Sequence, residues 1–370
     1  MAANRTPLFG TRQGIVLVGA LLGLGGALLH YLGNPANMGI CVACFERDIA
    51  GALGLHRAGV VQYLRPEIPA FCLGAFIAAL LSGEFRARAG SASLVHFVLG
   101  AFATIGALVF LGCPWRALFR LAAGDLNAVV GMVGLSLGVG IGVLFLRKGY
   151  TLGRNHETRA FAGLVFPLLM VGLVVLCLVQ PSFLAVSTRG PGAMHAAVGV
   201  SLGIGLAVGI LAQRSRFCTM AAIRDVFMMR NLHLLSGVAV LVATALVANL
   251  VLGQFGFGLT RQPIAHSNHL WNFLGMVLCG LCFAMAGGCP GRQLFLAGEG
   301  RVDSGIFVLG MVVGGGLAHN FLLTAGPDKV VEGVLKVGGP GPNGQIAVVA
   351  GILFCLVLGF TMRERLEWEY

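Results

Sequence analysis

Two cysteine motifs occur twice in this chain, and the copies of each lie almost the same distance apart. The first motif reads C-V-A-C-F-E-R-D-I from Cys41 and C-T-M-A-A-I-R-D-V from Cys218. The second reads G-C-P-W-R around Cys113 and G-C-P-G-R around Cys289. The separations are 177 and 176 residues. Two unrelated motifs would not share one offset, so we infer an internal duplication whose most repeated chemical element is a thiol beside a helix break.

The Gly-Cys-Pro motif predicts the start of a short helix. Proline is disfavoured inside a helix but suits its first position, so Pro114 should open one, with Gly112 letting the chain break just before it. The Cys113 thiol would then lie at the positive end of the helix dipole, which favours an anion. Arg116 adds a cation on the same first turn. The second copy repeats the pattern with Gly288, Cys289, Pro290 and Arg292.

A single Gly-Cys-Pro sequence is more often a helix kink with a small buried residue than a ligand site. Two copies in register favour the site. We therefore take the four repeated cysteines as candidate substrate-binding residues: Cys41, Cys113, Cys218 and Cys289.

Each copy of the first motif also carries an Arg-Asp pair, Arg47–Asp48 and Arg224–Asp225. Because the partners are adjacent in sequence, we expect their side chains to point in different directions. One would fix a short helix against a neighbour, and the other would face polar backbone. Ionisable side chains at membrane depth are costly and usually functional. The alternative is that these charges are anchors at the membrane surface.

Composition identifies the elements that must position these groups. The chain is 57% hydrophobic and 11% charged, with a mean hydropathy of +0.89, which is far from soluble globular usage. The long apolar runs lack strand alternation, so we predict an all-α polytopic membrane protein.

The first run lacks a small-residue cleavage site, so we expect it to be a span and not a signal peptide. The net charge of +11 is scattered among loops, which fits the positive-inside rule and gives no sign of nucleic-acid binding.

We predict about nine to ten transmembrane helices and four short re-entrant half-helices. The spans fall near 14–32, 69–82, 94–112, 126–146, 160–179, 195–212, 234–252, 270–288, 305–324 and 345–362. The half-helices fall at 38–55, 114–124, 217–230 and 290–298, stretches too short or too charged to cross a bilayer.

Loop charges predict an inverted arrangement of the two repeats. The basic linker Arg147–Arg159 is placed in the cytoplasm, together with the amino terminus and loops 83–93 and 213–233. An odd fifth span then starts the second repeat from the opposite side. The predicted divisions are 1–146 for the first repeat, 147–194 for the linker and extra span, 195–325 for the second repeat, and 326–370 for a loop and final span.

Four stretches of the chain resemble the YeeE/YedE family of sulfur-compound transporters, most closely the YedE branch associated with selenium metabolism. They are N-M-G-I-C-V-A-C-F-E-R-D-I-A-G-A-L, G-C-P-W-R-A-L-F-R-L-A-A-G-D-L-N, R-S-R-F-C-T-M-A-A-I-R-D and G-G-C-P-G-R-Q-L-F-L-A-G-E-G. The resemblance implies inverted halves with short helices meeting centrally, uptake of thiosulfate or a selenium compound, and substrate handling by Cys41, Cys113, Cys218 and Cys289. It also implies a multi-pass location in a bacterial inner membrane.

The expected function is import of a small selenium- or sulfur-containing anion, with selenium species favoured and thiosulfate next. The membrane lipid and a cytosolic sulfur or selenium carrier protein are the other expected partners. We expect no enzyme activity, catalytic residue, cofactor or metal, since no phosphate-binding loop, dinucleotide fingerprint or nucleophile elbow occurs.

Two alternatives remain open. The first is a membrane thiol oxidoreductase that uses Cys41 and Cys44 as a redox pair, although Ala221 replaces Cys44 in the second copy. The second is a transporter of an unrelated solute whose thiols are merely structural.

Overall fold

A computed structural model describes residues 8–90 and 92–364 of the chain. The α-helices are α1 Arg12–Tyr31, α2 Val42–Ala52, α3 Glu67–Leu81, α4 Ser93–Phe110, α5 Pro114–Ala122, α6 Asn127–Arg147, α7 Ala160–Val179, α8 Val198–Ser215, α9 Thr219–Met229, α10 His233–Val251, α11 His269–Ala286, α12 Pro290–Gly298, α13 Val302–Asn320 and α14 Pro342–Thr361. Short strands occur only in the loops: β1 Arg88–Ala89, β2 His156–Glu157, β3 Ala325–Gly326, β4 Lys329–Val331, β5 Val334–Lys336 and β6 Gly339–Pro340. They form the antiparallel pairs β1–β2, β3–β6 and β4–β5.

The protein is an all-α polytopic membrane protein. Within the described ranges, nine helices are long and apolar enough to cross a membrane: α1, α4, α6, α7, α8, α10, α11, α13 and α14. The predicted span at 69–82 corresponds to α3, which is shorter at 15 residues. α7 and α14 expose most of their apolar side chains, with only 28% of each span buried. Such a surface suits contact with lipid and not with water.

All four predicted half-helices are present as α2, α5, α9 and α12. They have 9 to 11 residues each, which is about 14–16 Å of helix and only half of a hydrocarbon core. Pro114 and Pro290 open α5 and α12 at the first helical position, as the Gly-Cys-Pro motifs predict. Protein packs on nearly every side of α2, α5 and α12. Their unpaired terminal backbone groups are thereby kept away from lipid.

The two repeats pack as copies related by a pseudo-two-fold axis. α8 is the equivalent of α1 in the second repeat, and α10 is the equivalent of α3. α1 packs against α10, and α8 packs against α3, so the same contact is made twice. In the same way α6 packs on α11, and α13 on α4. The match extends to single residues: Gly134 lies against the backbone of Phe273, and Gly310 lies against that of Phe97, so both members are shifted by 176 residues. Glycines at these positions let the helix backbones approach closely.

The repeats are inverted. The Cys279 thiol donates to the Ala103 carbonyl at 3.3 Å, and these two residues are themselves 176 apart in sequence, so the axis passes close to them. Gly106 on α4 lies against Gly275 on α11. Since residue numbers rise along α4 as they fall along α11, the two equivalent helices run antiparallel. Inverted repeats of this type are common among secondary transporters.

Loops gather at two ends of the helix assembly. One end, which we call the arginine-rich end, contains loops 82–92, 148–159, 216–218 and 299–301, joined by the β1–β2 pair and by ion pairs from Glu84 to Arg214 and Arg216. The other end contains loops 53–66, 180–197, 252–268 and 321–341. This grouping agrees with the loop-charge prediction. The cytoplasmic identity of the arginine-rich end and the four segment boundaries stay predictions, and the predicted position of the amino terminus lies outside the described residues.

Candidate functional site

The four repeated cysteines occupy equivalent places in the structure. Each is the N-cap residue of a half-helix: Cys41 of α2, Cys113 of α5, Cys218 of α9 and Cys289 of α12. All four side chains are buried, with at most 2% of their surface exposed. The free N–H groups of each first helical turn therefore point toward a thiol in the interior of the protein.

Three thiols meet in the first repeat. The Cys41 side chain lies beside those of Cys113 and Cys44, so the N-termini of α2 and α5 converge on one cluster. We call Cys41, Cys44 and Cys113 the first thiol cluster. Cys44, left in doubt by the sequence because the second repeat lacks it, is part of this cluster.

Arg116 brings a positive charge to the first thiol cluster. Its side chain is completely buried, and Nη1 lies 3.9 Å from the Cys44 Sγ. The other guanidinium contacts are backbone carbonyls: those of Asn37 and Ile264 at 3.3 and 3.0 Å, and that of Leu111. No carboxylate of the described residues forms an ion pair with it. The cluster therefore has a buried cation without a fixed counter-ion, a costly arrangement unless an anion binds there.

Two thiols meet in the second repeat. The Cys218 Sγ accepts from the backbone N–H of Cys289 at 3.5 Å and from that of Ala221 at 3.4 Å. The two thiol groups lie beside each other. We call Cys218 and Cys289 the second thiol pair. It reproduces the convergence of two half-helix N-termini seen in the first repeat.

The arginines beside the two thiol sites differ in their partners. Arg292 is the equivalent of Arg116, but it donates to Glu299 at 3.1 Å. The residue equivalent to Glu299 in the first repeat is Ala123, which has no carboxylate. The second thiol pair is therefore electrically closer to neutral than the first thiol cluster.

One aromatic side chain contacts residues beside both thiol sites. Trp115, which follows Cys113 by two residues, packs against Gly291, its own equivalent in the second repeat. Its ring centroid lies 6.0 Å from that of Phe217 and 6.1 Å from that of Phe295. The indole is 1% exposed, and its N–H has no partner among the described groups. The tryptophan thus fills the centre, where symmetry would allow a second tryptophan but the sequence has a glycine.

The prediction that adjacent Arg and Asp side chains point in different directions is wrong. Arg47 donates to the Asp48 carboxylate at 2.6 and 2.9 Å, and both side chains are nearly inaccessible. Side chains at neighbouring positions project from a helix about 100° apart around its axis. The long, flexible arginine side chain nevertheless bends back far enough to reach the carboxylate. The carboxylate also binds Arg65 at 2.8 Å, and Arg65 donates to the carbonyls of Pro191 and Met194. Asp48 therefore anchors α2 to loops 53–66 and 180–197 and is not a surface anchor.

The second copy of this motif is weaker. Arg224 donates to Asp225 at 2.8 and 2.9 Å, again contrary to the expected divergence. Here the arginine side chain is 31% exposed, and no second guanidinium reaches the carboxylate in the described part of the chain. The anchor of α9 is thus a single, partly solvated ion pair.

Three residues of this region were missed by reasoning from the motifs. Arg65 gave no signal, because it is 17 residues from Asp48 and outside the repeat pattern. Trp115 and Glu299 did give one: aligned copy against copy, they stand opposite Gly291 and Ala123. Positions at which the two aligned repeats carry different residues therefore pointed to these two side chains. All ten cysteines are free, and the described residues contain no group of side chains arranged to hold a metal ion.

Comparison with known proteins gives two partial matches. Residues 214–368 match the model of a family described as "Sulphur transport". A stretch of 98 residues is 30% identical to the thiosulfate transporter TsuA of Spirochaeta thermophila, covering 26% of this chain and 29% of that protein. The chain thus aligns with less than a third of that relative. Together, the family match and this partial similarity support the sulfur-compound transporter family that the four motifs indicate.

Proposed function

We propose that this protein imports a small selenium- or sulfur-containing anion along a central path that passes the first thiol cluster, Trp115 and the second thiol pair. The observation that carries the proposal is Arg116, a fully buried guanidinium with no carboxylate partner among the described residues, beside three thiols. Two helix N-termini point to the same place, and both favour negative charge. An anion with a soft chalcogen atom would satisfy the cation and contact the thiols at once.

Passage along the path needs sites that bind weakly. Thiols are weak S–H donors and polarizable contacts, so each holds the anion less firmly than a lysine or a metal would. The pairing of Arg292 with Glu299 makes the second site less attractive to an anion than the first. An anion bound at the first thiol cluster must displace the Trp115 indole to reach the second pair, and the unpartnered indole N–H is a donor along that route.

Two substrates fit this chemistry. The motif resemblance favours a selenium species such as selenite. The partial similarity to a thiosulfate transporter favours thiosulfate, which carries a soft terminal sulfur atom. The family match over residues 214–368 is described only as sulfur transport, so it does not choose between the two substrates.

Uptake into proteoliposomes tests the proposal. We expect purified protein to accumulate labelled selenite or thiosulfate, and Cys289→Ala to reduce that uptake at least tenfold. Cys355→Ala is the matched control, since Cys355 is also a buried free thiol but lies on α14 and is not a half-helix cap. Full-rate uptake by Cys289→Ala would exclude a role of the second thiol pair.

The oxidoreductase alternative makes a different prediction. A redox pair of Cys41 and Cys44 must cycle through a disulfide with a quinone or carrier, so Cys44→Ser would abolish activity. On the transport proposal Cys44→Ser keeps a small polar donor beside Arg116 and should retain a substantial part of the uptake. Thiol trapping in the presence and absence of a quinone distinguishes the two, because only the oxidoreductase forms the Cys41–Cys44 disulfide during turnover.

A further inference from the structure

A cavity of about 270 Å³ lies at the arginine-rich end, where loops of both repeats meet. Its lining is almost entirely charged: Gly83, Glu84, Arg86, Arg88, Arg216, Glu299 and Arg301. Since a water molecule occupies about 30 Å³ in the liquid, this space accepts a small polyatomic ion with part of its hydration shell. Four guanidinium groups and two carboxylates give the lining an excess of positive charge.

The two carboxylates hold only some of these arginines. Glu84 binds Arg214 and Arg216 at 3.1 and 2.9 Å, and Glu299 binds Arg216 and Arg292 at 2.9 and 3.1 Å. Each carboxylate is therefore shared by two guanidinium groups.

Arg86 and Arg88 form no ion pair with any carboxylate in the described ranges. Burial is the main cause that lowers the pKa of Arg301; the charges of Arg292 and Arg88 lower it further, against the opposing charges of Asp303 and Glu299. An anion between these guanidinium groups would relieve their mutual repulsion.

Two residues that line the cavity are related to the second thiol pair, one through an ion pair and one through the sequence. Glu299 lines the cavity and binds Arg292, which lies in the first turn of α12 behind Cys289. Arg216 also lines the cavity and precedes Cys218 by two residues. A small anion that leaves the thiols at this end therefore meets these arginines next.

We propose that this cavity is a second anion site, separate from the thiols, that binds a small divalent oxyanion such as sulfate, thiosulfate or selenite through its arginine side chains. Planar guanidinium groups match tetrahedral and trigonal oxyanions by paired N–H donors. The site deepens the proposed transport function by giving the path a vestibule. A bound oxyanion competes with Glu84 and Glu299 for Arg216, so its arrival loosens the ion pairs that tie the loops together.

Sulfate is the probe of choice because it has the charge of thiosulfate without a soft terminal sulfur, so thiols contribute little to its binding. Equilibrium dialysis of labelled sulfate against the purified full-length protein measures the affinity. We expect saturable binding that weakens at least tenfold in the double variant Arg86→Gln/Arg88→Gln. These two arginines make no ion pair that holds the loops, so the variant leaves the Glu84 and Glu299 contacts in place.

The matched control is Arg154→Gln/Arg159→Gln, which removes the same charge from exposed positions at the same end but outside the cavity. Its sulfate affinity should equal that of the wild type. Equal weakening in both double variants would mean general charge attraction, and sulfate binding that persists in Arg86→Gln/Arg88→Gln would mean a site elsewhere, for example at Arg116. Either result, or a wild type without saturable binding, overturns the vestibule.

This test is independent of the uptake test. Sulfate binding that responds to the cavity variant, in a protein that takes up neither selenite nor thiosulfate, would leave the anion site standing and remove both the transport proposal and the role of the cavity as its vestibule. Thiol-dependent uptake without sulfate binding in the cavity would support the transport proposal and exclude the anion site in the cavity.

Discussion

Two buried arginines one turn apart on α5 show how burial alone fails to identify a functional charge. Arg120 forms an ion pair with Asp125 at 2.6 Å and donates to the Phe110 carbonyl. Arg116 is equally inaccessible but has only carbonyls and a thiol around it. Arg120 therefore has a structural reason to be charged, whereas the proposed function assigns the charge of Arg116 to the binding of an anion.

Replacing each arginine by glutamine separates these roles. Arg120→Gln leaves the Asp125 carboxylate buried without its partner, so we expect a loss of about 3–5 kcal/mol of stability. Arg116→Gln orphans no carboxylate, and its melting temperature in detergent should fall clearly less. Uptake should fall at least tenfold in Arg116→Gln. Wild-type uptake by Arg116→Gln, or a larger stability loss than in Arg120→Gln, would contradict this assignment.

The motifs predicted the positions of the thiols well because helix starts are encoded locally. A proline at the first helical position and a glycine before the cap were enough to place Cys113 and Cys289 at N-caps. The partners of the charges could not be predicted in this way. Arg292 is paired because residue 299 is a glutamate, whereas the equivalent position beside Arg116 is Ala123, and Arg65 reaches Asp48 only through the folding of a long loop.

At the scale of elements, α2 and α9 are equivalent half-helices with unequal anchors. Asp48 binds two guanidinium groups in a dry environment, whereas Asp225 binds one that is partly in solvent. An element held by few and solvated contacts opens more easily. We therefore expect α9 to be the more mobile half-helix.

Substitution of the two carboxylates measures this difference. Asp48→Asn leaves Arg65 without a buried counter-charge and should lower stability by about 3–5 kcal/mol. Asp225→Asn should lower it by about 1 kcal/mol or less, as for an exposed pair. Melting temperatures of the two variants under one detergent condition compare them directly. Equal losses would show that the anchors are equivalent and that the predicted mobility of α9 is wrong.

The loops of the arginine-rich end should respond to acid. Burial raises the pKa of Glu84, but the hydrogen bond from Gln213 and the charges of Arg216 and Arg214 outweigh it and hold the pKa below its ordinary value of 4.5. A lowered carboxyl pKa contributes stability above 4.5 that is lost as the pH falls through the folded-state value. The melting temperature of the wild type should exceed that of Glu84→Gln at neutral pH, and the difference should shrink below pH 4.5. A difference independent of pH would exclude the Glu84 charge as its cause.

At the scale of the whole molecule, the inverted duplication was predictable because span count and motif offset are properties of the chain. About nine to ten spans and four half-helices followed from hydropathy and from short polar stretches, and an odd fifth span gave the inversion; among the described residues nine helices are long enough to span, and α3 is shorter. The departure from symmetry at the centre was not predicted. A single tryptophan fills it, since Trp115 stands where its equivalent is Gly291. One repeat therefore supplies the indole and the other supplies the space.

Exchanging these two residues tests both the symmetry and whether the indole is a barrier on the proposed path. Trp115→Gly should empty the centre, lower stability by about 3–5 kcal/mol and let small anions such as iodide leak from proteoliposomes. Gly291→Trp alone should overpack the centre at a cost of about 1–3 kcal/mol and slow uptake.

The double variant Trp115→Gly/Gly291→Trp places one indole in the same space from the opposite repeat, so it should recover much of the stability and close the leak. Such recovery is a coupling between the two sites, measurable as a double-mutant cycle. Additive losses would mean that the two positions do not share one central space, and the pseudo-two-fold axis would then not extend to the barrier.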